Sequence, residues 1–453
     1  MELLNQPFTG QLGNRLIALL DTTDYQTLNI IVAFAKNSGV LRIKDALARF
    51  RKRGGKVNVY VGVDLGGTSY EALTVLLLHS DSLNVVHSEK WQTFHSKIYQ
   101  FVGSDKGLLI VGSQNLTYGG LWSNFESSLL IPVLGSSEGG LAVQKGVDEL
   151  IGGLVSLGNS FMPIKKQADL DLLLDNGYIV KEVAQRVFKA KSSEVPTTLK
   201  TLFGNGIPAK PPQLVLLKEA VVPSLSVLPI SASQNNEEQT IWFETRSMTG
   251  GSRNILDLSM RSLVERGDPV GTQFELETSG FMRGGVEFFG INPTDIEISK
   301  DLRINFEGVD YMGNRILFPK GANANGTWRL QIKGVSSAGE RITEAFRSKS
   351  DGHYMQHKIV TFTKVQDDYY FMSVFPENQL EIFMEASRIL ARNGSTTGAK
   401  RFGLLYKRLS HSWCFPFFVP LIPPLAPPNA SISASSVNGT PSDTKSGPGF
   451  TAR

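Results

Sequence analysis

Cysteine is nearly absent from this chain of 453 residues, which contains only Cys414. A lone cysteine excludes an internal disulfide framework and is typical of proteins from reducing compartments. Long hydrophobic runs are absent too, since no uninterrupted apolar stretch reaches the length of a membrane span. The opening MELLNQPFTG lacks the basic region and apolar core of a signal peptide. We therefore expect a cytoplasmic protein without a membrane partner.

Neither sign of charge dominates, because 46 basic and 42 acidic residues leave a net charge of +4. That balance permits nucleic-acid binding without requiring it. The length allows two domains, and a composition that is 41% hydrophobic and 19% charged is typical of a globular protein. The chain also lacks a compact Asp/Glu cluster of the kind that holds Mg²⁺. We expect neither a metal nor another cofactor.

The most informative stretch of the chain lies between residues 94 and 126. It begins with FHSKIYQF, which alternates apolar and polar residues as a strand does. His95, Lys97 and Tyr99 should therefore share one face of that strand.

A second apolar run, residues 108–111, leads directly to Ser113 and Asn115. If the two strands are neighbours, an imidazole, an ammonium, a hydroxyl and an amide converge at their ends. Lys97 and Asn115 can donate to phosphoryl oxygens, and a neutral His95 can attack phosphorus or transfer a proton. This pattern predicts a phosphate site that contains its own nucleophile.

The motifs HSK (95–97) and GSQN (112–115) resemble the HxK…GSxN signature of the phospholipase D superfamily, and NFE (124–126) looks like its downstream acidic segment. The resemblance implies that one histidine becomes a phosphohistidine while another protonates the leaving oxygen, without a metal. It also implies catalytic roles for His95, Lys97, Ser113, Asn115 and Glu126. A lone HxK or GSxN is common, but both together in this order are hard to obtain by chance.

The chain departs from the fullest form of this signature, which has an Asp about five residues after the Lys. Residues 98–102 contain no acid, and the first one downstream is Asp105. Glu126 is therefore our candidate for orienting His95.

Alternating strand and helix patterns run through the first part of the chain and predict an α/β sandwich over residues 1–190. One of its strands, 56–63, is closed by Asp64 and by Gly66-Gly67. Repeated prolines mark residues 191–236 as a linker. Short strand-like runs, GGVEFFGI (284–291) among them, predict a mainly-β pseudobarrel over 237–405, with a helix at 379–392. The proline-rich end, 406–453, is expected to be a disordered tail.

Two loops of the β-rich part, MTGGSRN (248–254) and NANGTWRL (323–330), combine small residues with Arg, Asn and Trp. Arginine can pair with guanine and asparagine with adenine in a major groove. The alternative is that these segments are plain turns, with the arginines exposed and the tryptophan in the core. Our candidates for DNA binding are Arg246, Ser252, Arg253, Asn254, Asn325, Trp328 and Arg329.

Taken as a whole, residues 1–405 resemble the restriction endonucleases of the NgoFVII, NgoAVII and BfiI type. Those enzymes join a phospholipase D-like nuclease domain to a C-terminal DNA-recognition pseudobarrel of the B-three type. The resemblance implies double-stranded DNA as substrate and a separate methyltransferase as partner. It also allows an ATP-dependent helicase as a partner. That helicase would be a separate polypeptide, because this chain has neither GxxxxGKS nor GxxxxGKT.

Each chain supplies one HxK, whereas displacement through phosphohistidine uses a nucleophile and an acid on opposite sides of phosphorus. We therefore expect a homodimer with one shared active site. Two other functions stay open at this point. One is a phospholipase or phosphatidyltransferase, and the other is a DNA-binding regulator whose phosphodiesterase domain has lost activity.

Overall fold

The fold was analysed in a computed structural model of the chain. The structure describes residues 1–90, 92–134, 137–192, 239–248, 253–321, 326–350 and 353–405. Ser252, Asn325, almost all of the predicted linker and the whole predicted tail lie outside these ranges. Both sheets described below belong to one compact unit, Met1–Leu409.

The N-terminal part forms an eight-stranded mixed sheet with the order β1-β7-β6-β5-β2-β3-β4-β8. Its strands are β1 Glu2–Gln6, β2 Thr27–Val32, β3 Lys56–Gly62, β4 Ser82–Val86, β5 Lys97–Val102, β6 Lys106–Gly112, β7 Glu126–Leu134 and β8 Phe161–Ile164. Its helices are α1 Leu12–Asp21, α2 Asn37–Lys52, α3 Tyr70–His79, α4 Glu138–Val155, α5 Gln167–Asp175 and α6 Glu182–Ser192. Strands β2, β3 and β4 are parallel, and the other pairings are antiparallel. The predicted α/β organisation is confirmed.

Helices cover both faces of this sheet, which explains why its central strands are almost continuously apolar. On one face, Val32 and Val59 join a core that includes Val40 and Leu47 of α2. On the other face, Ile31 joins a smaller apolar cluster with residues of α4. Helix α2 ends in a basic turn, as expected where positive charge meets the negative end of the helix dipole.

The C-terminal part forms an eleven-stranded sheet with the order β10-β15-β14-β13-β17-β16-β9-β19-β18-β11-β12. Its strands are β9 Thr240–Glu244, β10 Ile255–Leu258, β11 Arg261–Arg266, β12 Phe281–Arg283, β13 Ser299–Phe306, β14 Val309–Leu317, β15 Trp328–Gln331, β16 Lys358–Gln366, β17 Tyr369–Pro376, β18 Ile389–Arg392 and β19 Arg401–Leu405. Two short helices accompany them within the described residues, α7 Ile342–Arg347 and α8 Leu380–Ala386. The strand-rich character is as predicted, while closure into a pseudobarrel stays a prediction.

Two local predictions in this part are wrong. The helix expected at 379–392 ends at Ala386, and residues 389–392 form β18 instead, paired with β11 and β19. Ser387 accepts a hydrogen bond from the indole Nε1 of Trp242 at 2.8 Å and donates to Phe383, so side-chain bonding takes over where the helix stops. The run GGVEFFGI, expected as a strand, contains the 3-10 helix Gly285–Phe289.

The two sheets share part of one apolar core. Trp242 of β9 and Phe375 of β17 lie in the same buried cluster as Val183 of α6. Phe383 of α8, which is 1% exposed, contacts both of those aromatic rings, with centroid distances of 5.9 Å to Trp242 and 5.1 Å to Phe375. Helix α8 packs against α6. The C-terminal sheet therefore completes the core of the N-terminal part.

Polar contacts also cross this junction. The Ser373 hydroxyl of β17 donates to the Glu71 carboxylate of α3 at 3.0 Å. Burial raises the pKa of Glu71, and the nearby Glu182 carboxylate raises it further. Arg303 of β13 forms an ion pair with Asp45 of α2 at 3.1 Å. Apolar and polar contacts thus connect the same two layers.

Phe383→Ala should lower the free energy of unfolding by about 3–5 kcal/mol, because it leaves a cavity between the sheets. The matched control is Phe188→Ala in α6, whose side chain is 60% exposed and whose loss should cost less than about 1 kcal/mol. Urea unfolding of both variants measures the difference. Equal losses would show that the junction does not contribute to the core.

Candidate active site

The predicted catalytic motifs meet at the edge of the N-terminal sheet that is formed by the ends of its strands. Strand β5 lies between β2 and β6 and runs antiparallel to both, so its first residue, Lys97, sits opposite Val32 at the end of β2. On the other side Ile98 faces Val111, which precedes the end of β6. Strand β7 begins at Glu126 at the same edge. The motif strands are neighbours, as the sequence predicted.

His95 and Lys97 are in direct contact at this edge. The Lys97 Nζ lies 2.8 Å from Nδ1 and 3.3 Å from Nε2 of the His95 imidazole, and it donates to the His95 carbonyl oxygen at 2.8 Å. Partial burial lowers the pKa of His95, and the Lys97 ammonium lowers it further because two cations repel each other. The imidazole is therefore neutral near pH 7, which is the form that can act as a nucleophile.

Lys97 stays charged even though its own pKa is reduced. Burial lowers the pKa of Lys97, while the negative charge of Glu126 raises it. A lysine starts from a pKa far above neutrality, and its ammonium form can bind a phosphoryl oxygen. Tyr99, the third residue of the predicted face, is buried, and its hydroxyl donates to the Gln114 carbonyl at 3.2 Å. Tyr99 thus anchors the GSQN segment through its hydrogen bond to the Gln114 backbone.

Ser113 and Asn115 follow β6 and are both fixed by hydrogen bonds. The Ser113 hydroxyl donates to the Glu126 carboxylate and accepts from the Ser127 amide at 3.2 Å. The Asn115 Oδ1 accepts from the Phe34 amide at 3.2 Å. With its oxygen engaged in this way, Asn115 can offer its NH₂ group to an anionic ligand.

Glu126 does not have the contact we expected for it. Its carboxylate accepts hydrogen bonds from Ser113 and, at 3.3 Å, from the Asn124 amide, rather than from the imidazole of His95. Glu126 begins β7, two strands away from β5, so it reaches the end of β6 before it reaches His95. The role of Glu126 as orienter of His95 is therefore corrected: it orients Ser113 and balances the charge of Lys97.

Two site-supporting residues were not identified from the sequence. The Asp64 carboxylate accepts from the Phe94 amide at 3.1 Å, immediately before His95, and lies 2.7 Å from Nδ1 of His87. The Phe34 ring meets the His95 ring edge-on with a centroid distance of 5.8 Å. Only the turn after strand 56–63, which contains Asp64, signalled any of this in the sequence.

The DNA-binding candidates of the C-terminal sheet have different surroundings. Trp328 is fully buried, its Nε1 donates to the Pro293 carbonyl at 3.0 Å, and its ring packs on Phe318. The prediction that Trp328 contacts DNA is wrong, because a side chain in the core cannot reach a ligand. Arg246 is partly exposed and forms an ion pair with Glu244 at 2.8 Å.

Arg253 and Arg329 lie at opposite ends of one two-stranded ladder. Strands β10 and β15 are antiparallel, with Ile255 opposite Gln331 and Leu258 opposite the start of β15. Arg253 and Asn254 precede the first end, whereas Gly326 and Thr327 precede the second. Three residue steps separate the ends, which is about 10 Å. Arg329 is half-buried and lies 3.8 Å from Asp257 on the neighbouring strand.

Within the described ranges, no group of three or more His, Cys, Asp or Glu side chains is arranged to hold a metal ion. Among the helices of the same ranges, none is long and apolar enough to cross a membrane.

No protein-family model matches the chain, and no curated protein matches it. Solved structures do show similarity to part of it. Nuc, a phospholipase D family member from Salmonella typhimurium, is 15% identical with a TM-score of 0.27, over 36% of this chain and 97% of Nuc. NucT from Helicobacter pylori is 18% identical with a TM-score of 0.24, over 33% of this chain and 94% of NucT.

The phosphatidylserine synthase of Haemophilus influenzae is 13% identical with a TM-score of 0.30. That match covers 42% of this chain and 46% of the synthase. Function therefore has to be inferred from the side chains at the sheet edge.

Lys97→Met should raise the pKa of His95, because the variant keeps the length of the side chain but removes the cation that opposes the imidazolium. Titration of the histidine ring signals by NMR measures this directly, whether or not the variant is active. Lys106→Met is the matched control, since Lys106 begins β6 at the far end of the strand and pairs with Asp24 at 2.8 Å. An unchanged or lower His95 pKa in Lys97→Met would contradict the electrostatic account.

Proposed function

We propose that this protein is a restriction endonuclease that hydrolyses DNA phosphodiesters through a phosphohistidine at His95. The observation that carries the proposal is the Lys97 ammonium, which lies within hydrogen-bonding distance of a neutral imidazole at a solvent-accessible sheet edge. Ser113 and Asn115 are fixed beside it. This combination supplies both a nucleophile and donors for the phosphoryl oxygens.

The chemistry has two balanced steps. In the first, a nitrogen of His95 attacks phosphorus, the bond from phosphorus to the leaving oxygen breaks, and an acid on the far side gives that oxygen a proton. In the second, water attacks the phosphohistidine, loses a proton to the same group, and releases His95. Lys97 and Asn115 stabilise the charge that develops on the phosphoryl oxygens in both steps. None of these roles calls for a metal ion.

The acid on the far side is His95 of the partner subunit. A single chain carries one HxK, so one copy provides the nucleophile and the other the acid. A two-fold axis through the site places the two imidazoles on opposite sides of phosphorus. The proposal is therefore a homodimer with one shared active site.

Double-stranded DNA is the proposed substrate because of the C-terminal sheet. Arg253 precedes one end of the β10–β15 ladder and Arg329 lies near its other end, and the ladder itself is about 10 Å long, which is close to the width of a major groove. The neighbouring Asn254 and the partly exposed Arg246 add further donors. Ser252 and Asn325, which lie outside the described residues, stay candidates for DNA binding.

Separate partner proteins follow from the proposed specificity. A nuclease that cuts at a defined sequence requires protection of the host's own copies of that sequence, which a separate methyltransferase would supply. An ATP-dependent helicase would also be a separate polypeptide, since this chain has no phosphate-binding loop motif.

His95→Ala should lower the rate of DNA cleavage on the order of 10⁴-fold or more while leaving DNA binding intact. The assay is plasmid cleavage in EDTA, and His353→Ala, in the C-terminal part, is the control that should keep activity. Phospholipid vesicles form a parallel arm. Cleavage that requires Mg²⁺, or hydrolysis of lipid without any of DNA, would overturn the proposed function.

Mixing His95→Ala with unmodified protein tests the shared site. Only pairs of unmodified chains keep both imidazoles, so after exchange of subunits the activity should fall below the unmodified share of the mixture. Light scattering at the assay concentration should show a dimer. Activity proportional to the unmodified share, or an active monomer, would contradict the shared site.

Arg253→Ala and Arg329→Ala should each cost about 1–3 kcal/mol of specific binding and relax the preference at one base pair if these residues read guanine. Selection from a randomised DNA pool measures the preference. Arg49→Ala is the control, because Arg49 in α2 is paired with Asp21 at 2.9 Å. A uniform loss of binding affinity across all sequences would instead indicate phosphate contacts. No change in either variant would place the reading surface elsewhere.

A further inference from the structure

Ala33 and Phe34, which connect β2 to α2, touch both halves of the candidate site. The Ala33 amide donates to the carbonyl of Ser96, the residue between His95 and Lys97, at 2.8 Å. The Phe34 amide donates to the Asn115 side chain at 3.2 Å. The Phe34 carbonyl then accepts from the amide of Leu116 at 3.0 Å. Two consecutive residues thus link the HSK segment to the GSQN loop.

The Phe34 ring contacts His95 and also lies directly against Gly67. It meets the imidazole edge-on, with an interplanar angle of 81°. A Cβ atom at Gly67 would lie only 2.0 Å from the ring. The φ of Gly67 is −68°, which suits any residue, so the ring alone excludes a side chain there. The turn after β3 therefore leaves just enough space for Phe34.

We propose that Phe34 is a positioning residue that sets the His95 imidazole and the Asn115 amide relative to each other. The inference rests on the proposed function. Its ring restricts rotation of the imidazole, and its amide occupies the Asn115 oxygen so that the NH₂ group is presented to a phosphoryl oxygen. In-line attack depends on such alignment, and an error of about 1 Å can cost on the order of a hundredfold in rate.

The same ring is part of the apolar surroundings of His95. Partial burial is the larger cause of the lowered pKa of His95, and the Lys97 ammonium is the second. The other charged groups nearby are the Glu126 carboxylate, which acts on Lys97, and Asp64, which holds the Phe94 amide. Removing the ring exposes the imidazole to water and so raises its pKa, whereas a role limited to stability would leave it unchanged.

The first test compares Phe34→Ala, Phe34→Leu and Phe161→Leu in the full chain. Phe161 is a matched control, since it is also half-buried and paired with one aromatic ring, Tyr60, but lies on the outermost strand β8, four strand positions from β5. For Phe34→Ala we expect kcat to fall on the order of tenfold to a hundredfold with little change in KM, because Lys97 still binds phosphate. Phe34→Leu should be intermediate.

Histidine NMR titration provides the second readout. The pKa of His95 should rise in Phe34→Ala and stay unchanged in Phe161→Leu. Gly67→Ala tests the same contact without removing an atom of Phe34, because the new methyl group displaces the ring. Its control is Gly146→Ala in α4, where a Cβ meets no neighbouring atom within 4 Å. Gly67→Ala should lower kcat and shift the pKa, and Gly146→Ala should do neither.

The outcomes separate this inference from the proposed function. If Phe34→Ala and Gly67→Ala match their controls in both kcat and His95 pKa, the positioning role is wrong even when His95→Ala abolishes cleavage. If His95→Ala keeps cleavage, the proposed function fails, while the NMR titration still reports whether Phe34 sets the state of the imidazole. Should circular dichroism show that Phe34→Ala is unfolded, Phe34→Leu and Gly67→Ala decide the question.

Discussion

The antiparallel placement of β5 between β2 and β6 is the constraint on which the site depends. Because β5 begins where β2 and β6 end, the residues just before it meet the residues just after its neighbours. His95 and Lys97 thereby come next to Ser113 and Asn115 without any long connection. Side chains alternate between faces along a strand, so a slip of one residue in this register would turn Lys97 to the opposite face. Packing of both sheet faces by helices holds the register.

Electrostatics then set the chemical state of the site. Partial burial is the larger cause of the lowered pKa of His95, and the Lys97 ammonium lowers it further because a charged imidazole beside it is unfavourable. The ammonium is in turn supported by Glu126, whose carboxylate is held by Ser113. The result is a row of carboxylate, ammonium and imidazole, in which Glu126 raises the pKa of Lys97 and Lys97 lowers the pKa of His95. Such a cluster does little for stability, which the core shared by the two sheets supplies instead, and this is typical of residues kept for function.

Much of this arrangement could be predicted from periodicity and motif spacing, whereas contacts between distant segments could not. Alternation along a strand and two apolar runs sufficed to bring His95 to the GSQN loop. Nothing local marked Phe34, because its role depends on the space left by a glycine over thirty residues away. Glu126 was linked to the wrong partner since strand order was unknown. The predictions for Trp328 and for the helix at 379–392 are wrong for the same reason. Burial and side-chain hydrogen bonding in the C-terminal sheet outweigh the local sequence pattern.

Capture of the covalent intermediate tests the central claim most directly. A single-turnover reaction on a DNA duplex is stopped with an alkaline denaturant, which preserves a phosphorus–nitrogen bond. The protein is then digested, and its peptides are examined by mass spectrometry. The account predicts an oligonucleotide phosphate attached to the peptide that carries His95, formed before the product appears and lost as it accumulates. Cleavage that proceeds to completion with no adduct, or with the adduct on Ser113, would contradict it.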